Sequence, residues 1–152
     1  MSAVEDRLAE LGLSVPEVAK PVAVYVPAVR TGNLVMTSGQ LPMRSGELIT
    51  TGKVGGEVSE EEAVACAQQC GLNAIAAVKA LVGDLDQVKR VVKVVAFIAS
   101  TPDFTGQPQV ANGVSELLGK AFGEAGVHAR SAVGVPVLPL NAPVEVEITV
   151  EV

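Results

Sequence analysis

One arginine, one histidine and a short row of glutamates near the C-terminal end have the types and spacing to do chemistry. The stretch "HARSAVGVPVLPLNAPVEVEITVEV" holds the chain's only histidine, His128, then Arg130, then Glu145, Glu147 and Glu151. In an extended segment successive side chains alternate between faces. His128, Arg130, Ala132, Gly134 and Pro136 then share one face, and Ser131, Val133, Val135 and Val137 share the other, which reads as core. A guanidinium beside two very small side chains leaves room for a ligand, and its planar fork of donors matches a carboxylate. The alternative is an edge arginine that runs out to water or pairs with a structural acid.

The last strand alternates as well. Val144, Val146, Ile148, Val150 and Val152 point inward, and Glu145, Glu147, Thr149 and Glu151 lie on the opposite face. Such a row is ordinarily a solvated face. The other possibility is that one acid meets Arg130 across an antiparallel strand pair, where a partly buried carboxylate would serve as a base.

The rest of the chain must position these groups. At 152 residues it is expected to form one domain, burying about 70% of its unfolded surface. Aromatics are only 3% of a chain that is 49% hydrophobic, so the core must be built from Val, Ala, Leu and Ile. Those side chains suit a sheet covered by helices. A net charge of −6 argues against a nucleic-acid binder, which needs a basic footprint. No apolar run approaches the roughly 20 residues of a spanning helix. The opening "MSAVEDRLAELG" has neither the basic nor the apolar region of a signal peptide, so a cytoplasmic protein is expected, without membrane contact. Cys66 and Cys70 lie four apart in a helical pattern and read as small buried residues. A metal centre lacks ligands, with one distant His.

Along the chain, Val4, Leu8 and Leu11 make a short N-terminal helix closed by Gly12, followed by a linker from Ser14 to Pro21. "VAVYVPAV" and "NLVMTSGQLP" read as strands joined by the turn "RTGN". Ser59 and Glu62 form a capping-box pattern ahead of a helix that Gly83 ends. A strand over about Val91 to Ala99 is β-branched and nearly continuous, so burial on both faces is expected. A third helix covers about Gln109 to Phe122, and two strands follow, about Arg130 to Leu138 and Val144 to Val152. The order α–ββ–α–β–α–ββ implies an α+β fold, one mixed sheet with two main helices packed on one face plus the short N-terminal helix. The other sheet face would need cover, which points to self-association.

"YVPAVRTGNLVMTSGQLP" and, much later, "ARSAVGVPVLPLNAPVEVE" resemble the Rid family, also called YjgF or L-PSP. The shared features are a Tyr ahead of the first turn, Gly-Asn, Ser-Gly-Gln, Ala-Arg-Ser, a Leu-Pro and an acid in the last strand, spanning roughly Val22 to Val152. The resemblance implies a chorismate-mutase-like fold over residues 1–152, with 1–21 as an N-terminal extension. It also implies a homotrimer with three clefts between subunits. The implied activity is hydrolysis of reactive 2-imino acids to 2-keto acids and ammonium, without a cofactor. By position, Arg130 would grip the substrate carboxylate and Glu145 would position or activate water. Tyr25 would line the cleft, with the backbone of Ser38 and Gly39 near the ligand. An iminium carbon is already electrophilic, so orientation and a modest base suffice.

The departures are Ala132 where many members carry cysteine, Gly134 where a larger residue would narrow the cleft, and His128 ahead of "ARS". His128 is either a second polar contact to the ligand or an edge residue. A non-catalytic trimer that binds a small carboxylate is the competing function, with Ala132 and Gly134 setting ligand size. A ribonuclease is disfavoured by the acidic charge, and a chorismate mutase rests on fold analogy alone.

Overall fold

The computed structural model describes residues 1–18 and 24–152. Helix α1 (Ala3–Glu10) starts at a reciprocal cap in which the Ser2 hydroxyl accepts from the Glu5 N–H while the Glu5 carboxylate accepts from the Ser2 N–H. Its Val4 and Leu8 are buried, and it packs against α3 (Gln107–Phe122). Ser59 caps α2 (Glu60–Val82) by accepting from the Glu62 N–H at 3.1 Å. Within α2, Cys66 and Cys70 are free and fully buried, as expected. Burial pushes the Cys66 thiol up to about 11, and Cys70 is raised for the same reason, so neither is a ready nucleophile.

The main sheet runs β1-β2-β7-β5-β6, from β1 (Ala28–Thr31), β2 (Leu34–Thr37), β5 (Arg90–Ala99), β6 (Ala129–Val135) and β7 (Val144–Glu151). A separate small hairpin pairs β3 (Met43–Arg44) with β4 (Glu47–Leu48). Helix α2 lies over β7 and β2, and α3 lies over β5 and β6. The helices approach closely at Gly113, where a Cβ would stand 2.2 Å from the Val64 carbonyl oxygen.

Four expectations change. The first strand begins at Ala28, because Pro27 offers no N–H to a ladder. Tyr25 therefore sits in a bend ahead of it, and the start of the expected strand and the end of the linker lie outside the described residues. Strand β5 alternates, with Val91, Val94, Ala96 and Ile98 buried while Val95 and Phe97 are only partly covered, so one chain covers one face. The last two strands do not pair. Helix α3 is a crossover that sets β6 parallel to β5 at the edge, and β7 returns antiparallel between β5 and β2.

The fourth correction concerns the faces of β6. Arg130, Ala132 and Gly134 register with Val94, Ala96 and Ile98 on the helix-covered face. Ser131 and Val133 belong with Val95 and Phe97 on the open face, and Val133 is exposed rather than core. Alternation alone cannot say which face a helix will cover.

Candidate functional site

Arg130 stands on the edge strand and reaches over α3. Its Nη1 donates to Asn112 Oδ1 at 2.8 Å and to Ser115 Oγ at 3.2 Å, and its Nη2 donates to the Pro108 carbonyl at 3.3 Å. All three acceptors are neutral. Among the described residues no carboxylate pairs with Arg130; the ion pair found joins Lys79 and Glu5. Three of five guanidinium donors are held, which leaves Nε–H and one Nη2–H, a pair suited to a carboxylate.

The acid half is built elsewhere. Beyond Met36, β2 leaves its register with β7: Met36 pairs with Thr149, but Gln40 pairs with Val146, a shift of one residue. Thr37 fills the gap with its hydroxyl, which accepts from the Ile148 N–H at 3.1 Å. Gln40 then exchanges both backbone hydrogen bonds with Val146, at 2.7 and 3.0 Å. This irregularity carries Ser38 and Gly39 over β7. The Ser38 hydroxyl donates to the Val26 carbonyl at 2.6 Å and its N–H to Pro27 at 2.7 Å, tying down the segment next to Tyr25, whose side chain is exposed.

The Glu145 carboxyl lies against Gly39: a Cβ there would be 2.7 Å from Oε2. Glu145 is half-buried and makes no side-chain hydrogen bond among the described residues. Burial, and secondarily the negative charge of Glu147, push its carboxyl above the ordinary 4.5. That is the direction a general base at neutral pH requires.

The two halves do not meet within one chain. Glu145 registers with Phe97 on the open face, while Arg130 registers with Val94 on the helix face. Two inter-strand spacings and three residues along the strand separate them, a Cα distance of about 14 Å from strand geometry. The expected approach of Arg130 to Glu145 across a strand pair is thus corrected by β5, which lies between their strands.

The remaining residues fall around the arginine. Both His128 ring nitrogens are engaged inside the chain, Nδ1 with the Gly126 carbonyl at 2.6 Å and Nε2 with Ser115 Oγ at 2.8 Å. Ala132 packs against the core. Gly134 does not widen a cleft in the single chain, because Gln107 Nε2 would stand 2.8 Å from an added Cβ. Asn112, Ser115, Pro108 and Gln107 were not expected from sequence. The available signal was a polar pair three apart on one helix, Asn112 and Ser115.

A five-stranded mixed sheet with helices on one face and an open second face defines the chorismate-mutase-like α+β class. Residues 5–152 match the family described as "YjgF/chorismate mutase-like, putative endoribonuclease", and the chain belongs to this YjgF, or Rid, family. It is 44% identical to Protein TCP17 of Trypanosoma cruzi over 146 residues, covering 95% of this chain and 91% of that one. It is 35% identical to a 2-iminobutanoate/2-iminopropanoate deaminase of Dermatophagoides farinae over 137 residues, covering 89% and 91%. A solved structure of a protein of unknown function from Agrobacterium tumefaciens superposes with a TM-score of 0.93 at 46% identity, covering 99% of this chain and 92% of that one. No described helix is long and apolar enough to cross a membrane.

Proposed function

We propose that this chain hydrolyses short 2-imino acids to 2-keto acids and ammonium, in a site that two copies of the chain complete. The observation that carries the reading is Arg130, a guanidinium held by neutral partners with its Nε–H and one Nη2–H unclaimed among the described residues. The deaminase name of a relative at 35% identity supports the reaction class.

In this mechanism Arg130 binds the substrate carboxylate through the free edge of its fork. The imine carbon is electrophilic, so the chain must orient it and supply a base. Glu145 takes a proton from water as the oxygen attacks that carbon. The protonated carboxyl returns that proton to nitrogen, giving a carbinolamine. Glu145 then passes the hydroxyl proton to the amino group as the C=O bond forms and the C–N bond breaks, and the ammonia released takes a proton from solvent to become ammonium. Neither Tyr25 nor the Ser38–Gly39 backbone need do more than shape the acid half.

The homotrimer is part of the proposal. The open sheet face carries Val29, Met36 and Val133, all exposed in the single chain, beside Phe97 and Glu145. Apolar residues in such number on one face favour a neighbouring copy. A neighbour's open face against the β6 edge would bring a Glu145 to an Arg130 of another chain. The net charge of −6 supports imine hydrolysis over cleavage of RNA.

A coupled assay with freshly generated 2-iminopropanoate tests the reading. Wild type should accelerate keto acid formation, and Arg130→Ala and Glu145→Gln should each lose the acceleration. If Glu145→Gln kept full turnover, base catalysis by this residue would be wrong. If no imine were turned over but small carboxylates bound, the chain would be a carboxylate-binding module.

A further inference from the structure

His128 shares Ser115 with Arg130 as a hydrogen-bond partner, and the proposed chemistry leaves it unused. Its Nδ1 lies 2.6 Å from the Gly126 carbonyl, which can only accept, so Nδ1 carries a proton. In the neutral ring Nε2 is then an acceptor, and it takes the Ser115 hydroxyl proton at 2.8 Å. The Ser115 oxygen keeps its lone pairs for Arg130, whose Nη1 donates to it at 3.2 Å. Donors and acceptors therefore run one way, from Arg130 through Ser115 and His128 to Gly126, with no conflict at any step. Asn112 takes the other Nη1 hydrogen at 2.8 Å.

We infer that His128 is a positioning residue for Arg130, acting through Ser115. A serine hydroxyl is a free rotor, and one that turned its hydrogen toward the guanidinium would repel it. The ring fixes that rotor with the oxygen facing Arg130. The guanidinium is then held at Nη1 by Asn112 and Ser115, and Nε–H with the second Nη2–H is left for a carboxylate. The inference rests on the reading of Arg130 as carboxylate anchor. It assigns His128 a place behind the anchor and away from the ligand.

The test uses Ser115→Ala, His128→Phe, His128→Gln and the Ser115→Ala/His128→Phe pair, with Arg130→Ala as reference. Two readouts are taken: KM and kcat with 2-iminopropanoate, and the ¹H–¹⁵N signal of the Arg130 side chain, assigned by its loss in Arg130→Ala. Ser115→Ala should raise KM about tenfold with kcat little changed, the pattern of lost uniform binding. His128→Phe should raise KM severalfold, while His128→Gln, which keeps an acceptor near the Nε2 position, should restore it. The double variant should be no worse than Ser115→Ala, because the two residues act in series. The Arg130 signal should be sharp in wild type and averaged in Ser115→Ala and His128→Phe. Additive effects in the double variant would overturn the inference. So would unchanged KM in His128→Phe alongside lost binding in Arg130→Ala, a result that leaves the anchor standing. An unchanged KM in Arg130→Ala would remove the anchor itself and this inference with it. If no imine were turned over, an Arg130 signal identical in wild type and His128→Phe would overturn the ordering role.

Discussion

Gly39 and Glu145 occupy one another's space: a methyl group on Gly39 would stand 2.7 Å from Glu145 Oε2 and 2.8 Å from its Cδ. The backbone of the irregular segment after β2 thus forms one wall of the acid. Gly39→Ala should push the carboxyl aside without touching the core. We expect kcat to fall by about a hundredfold, the scale of a 1 Å displacement of a reacting group. The melting temperature should move by only a few degrees. Steady-state kinetics and thermal melts on the same sample check both.

The raised Glu145 carboxyl gives a pH prediction. Its causes are burial first and the Glu147 charge second. The rate needs the ionised form, so activity should rise with pH through a midpoint above 4.5, and Glu147→Gln should shift that midpoint down. The stability consequence has the opposite sense. A carboxyl whose folded pKa is raised binds more protons folded than unfolded between the two values, so stability falls as pH rises through that window. Glu145→Gln should therefore be inactive yet no less stable than wild type at pH 7. A pH–rate profile and urea titrations at pH 4 and pH 7 test the two halves.

The order of the main elements was legible in the sequence, apart from the small β3–β4 hairpin. Val144 to Val152 alternates so regularly that Glu145 could be assigned to the face opposite the core. The pairing of that strand was not legible. Nothing in "VEVEITVEV" distinguishes an edge partner of β6 from a central strand between β2 and β5. The same gap inverted β6. Its valines looked like core because they are apolar, yet they face the open side of the sheet, and the smaller Ala132 and Gly134 lie under α3. Small residues there let the helix and the Gln107 side chain come close. The hydrogen bonds of Arg130 were hidden for a simpler reason, since Asn112 and Ser115 are about fifteen to eighteen positions away and meet it only after the crossover.

Gly113 supplies a stability prediction independent of function. A Cβ there would lie 2.2 Å from a backbone oxygen of α2, which no side-chain rotation can relieve. Gly113→Ala should cost about 3 kcal/mol by forcing α2 and α3 apart. Urea unfolding should show a lower midpoint, and near-wild-type stability would mean that the helices shift freely at this crossing.

Glu5 gives a second pH effect, of ordinary sign. Hydrogen bonds from Lys79 and then from Ser2 hold its carboxyl down at about 2. A depressed acid contributes stability above its unfolded pKa, and that contribution is lost as pH falls from about 4.5 toward 2. Lys79→Ala should therefore loosen α1 at pH 7 and matter little at pH 2. Amide exchange at Leu8 reads the change, with faster exchange in the variant at pH 7 expected.

The opposite-face placement of Arg130 and Glu145 leads to a complementation test. If one site takes Arg130 from one copy and Glu145 from the next, a ring of Arg130→Ala chains and a ring of Glu145→Gln chains each lack half of every site. Co-expressed and mixed at random, they rebuild some sites. A site is whole only where the Glu145→Gln chain supplies its intact Arg130 and the Arg130→Ala chain supplies its intact Glu145. With equal amounts, that combination occurs at about one site in four of a head-to-tail ring. Mixed oligomers should thus recover about a quarter of wild-type kcat per chain with an unaltered KM. If both residues of a site came from one chain, every site would carry one defect and mixing would recover nothing. The opposite faces of one sheet argue against that outcome, because neither side chain can pass through β5 to reach the other.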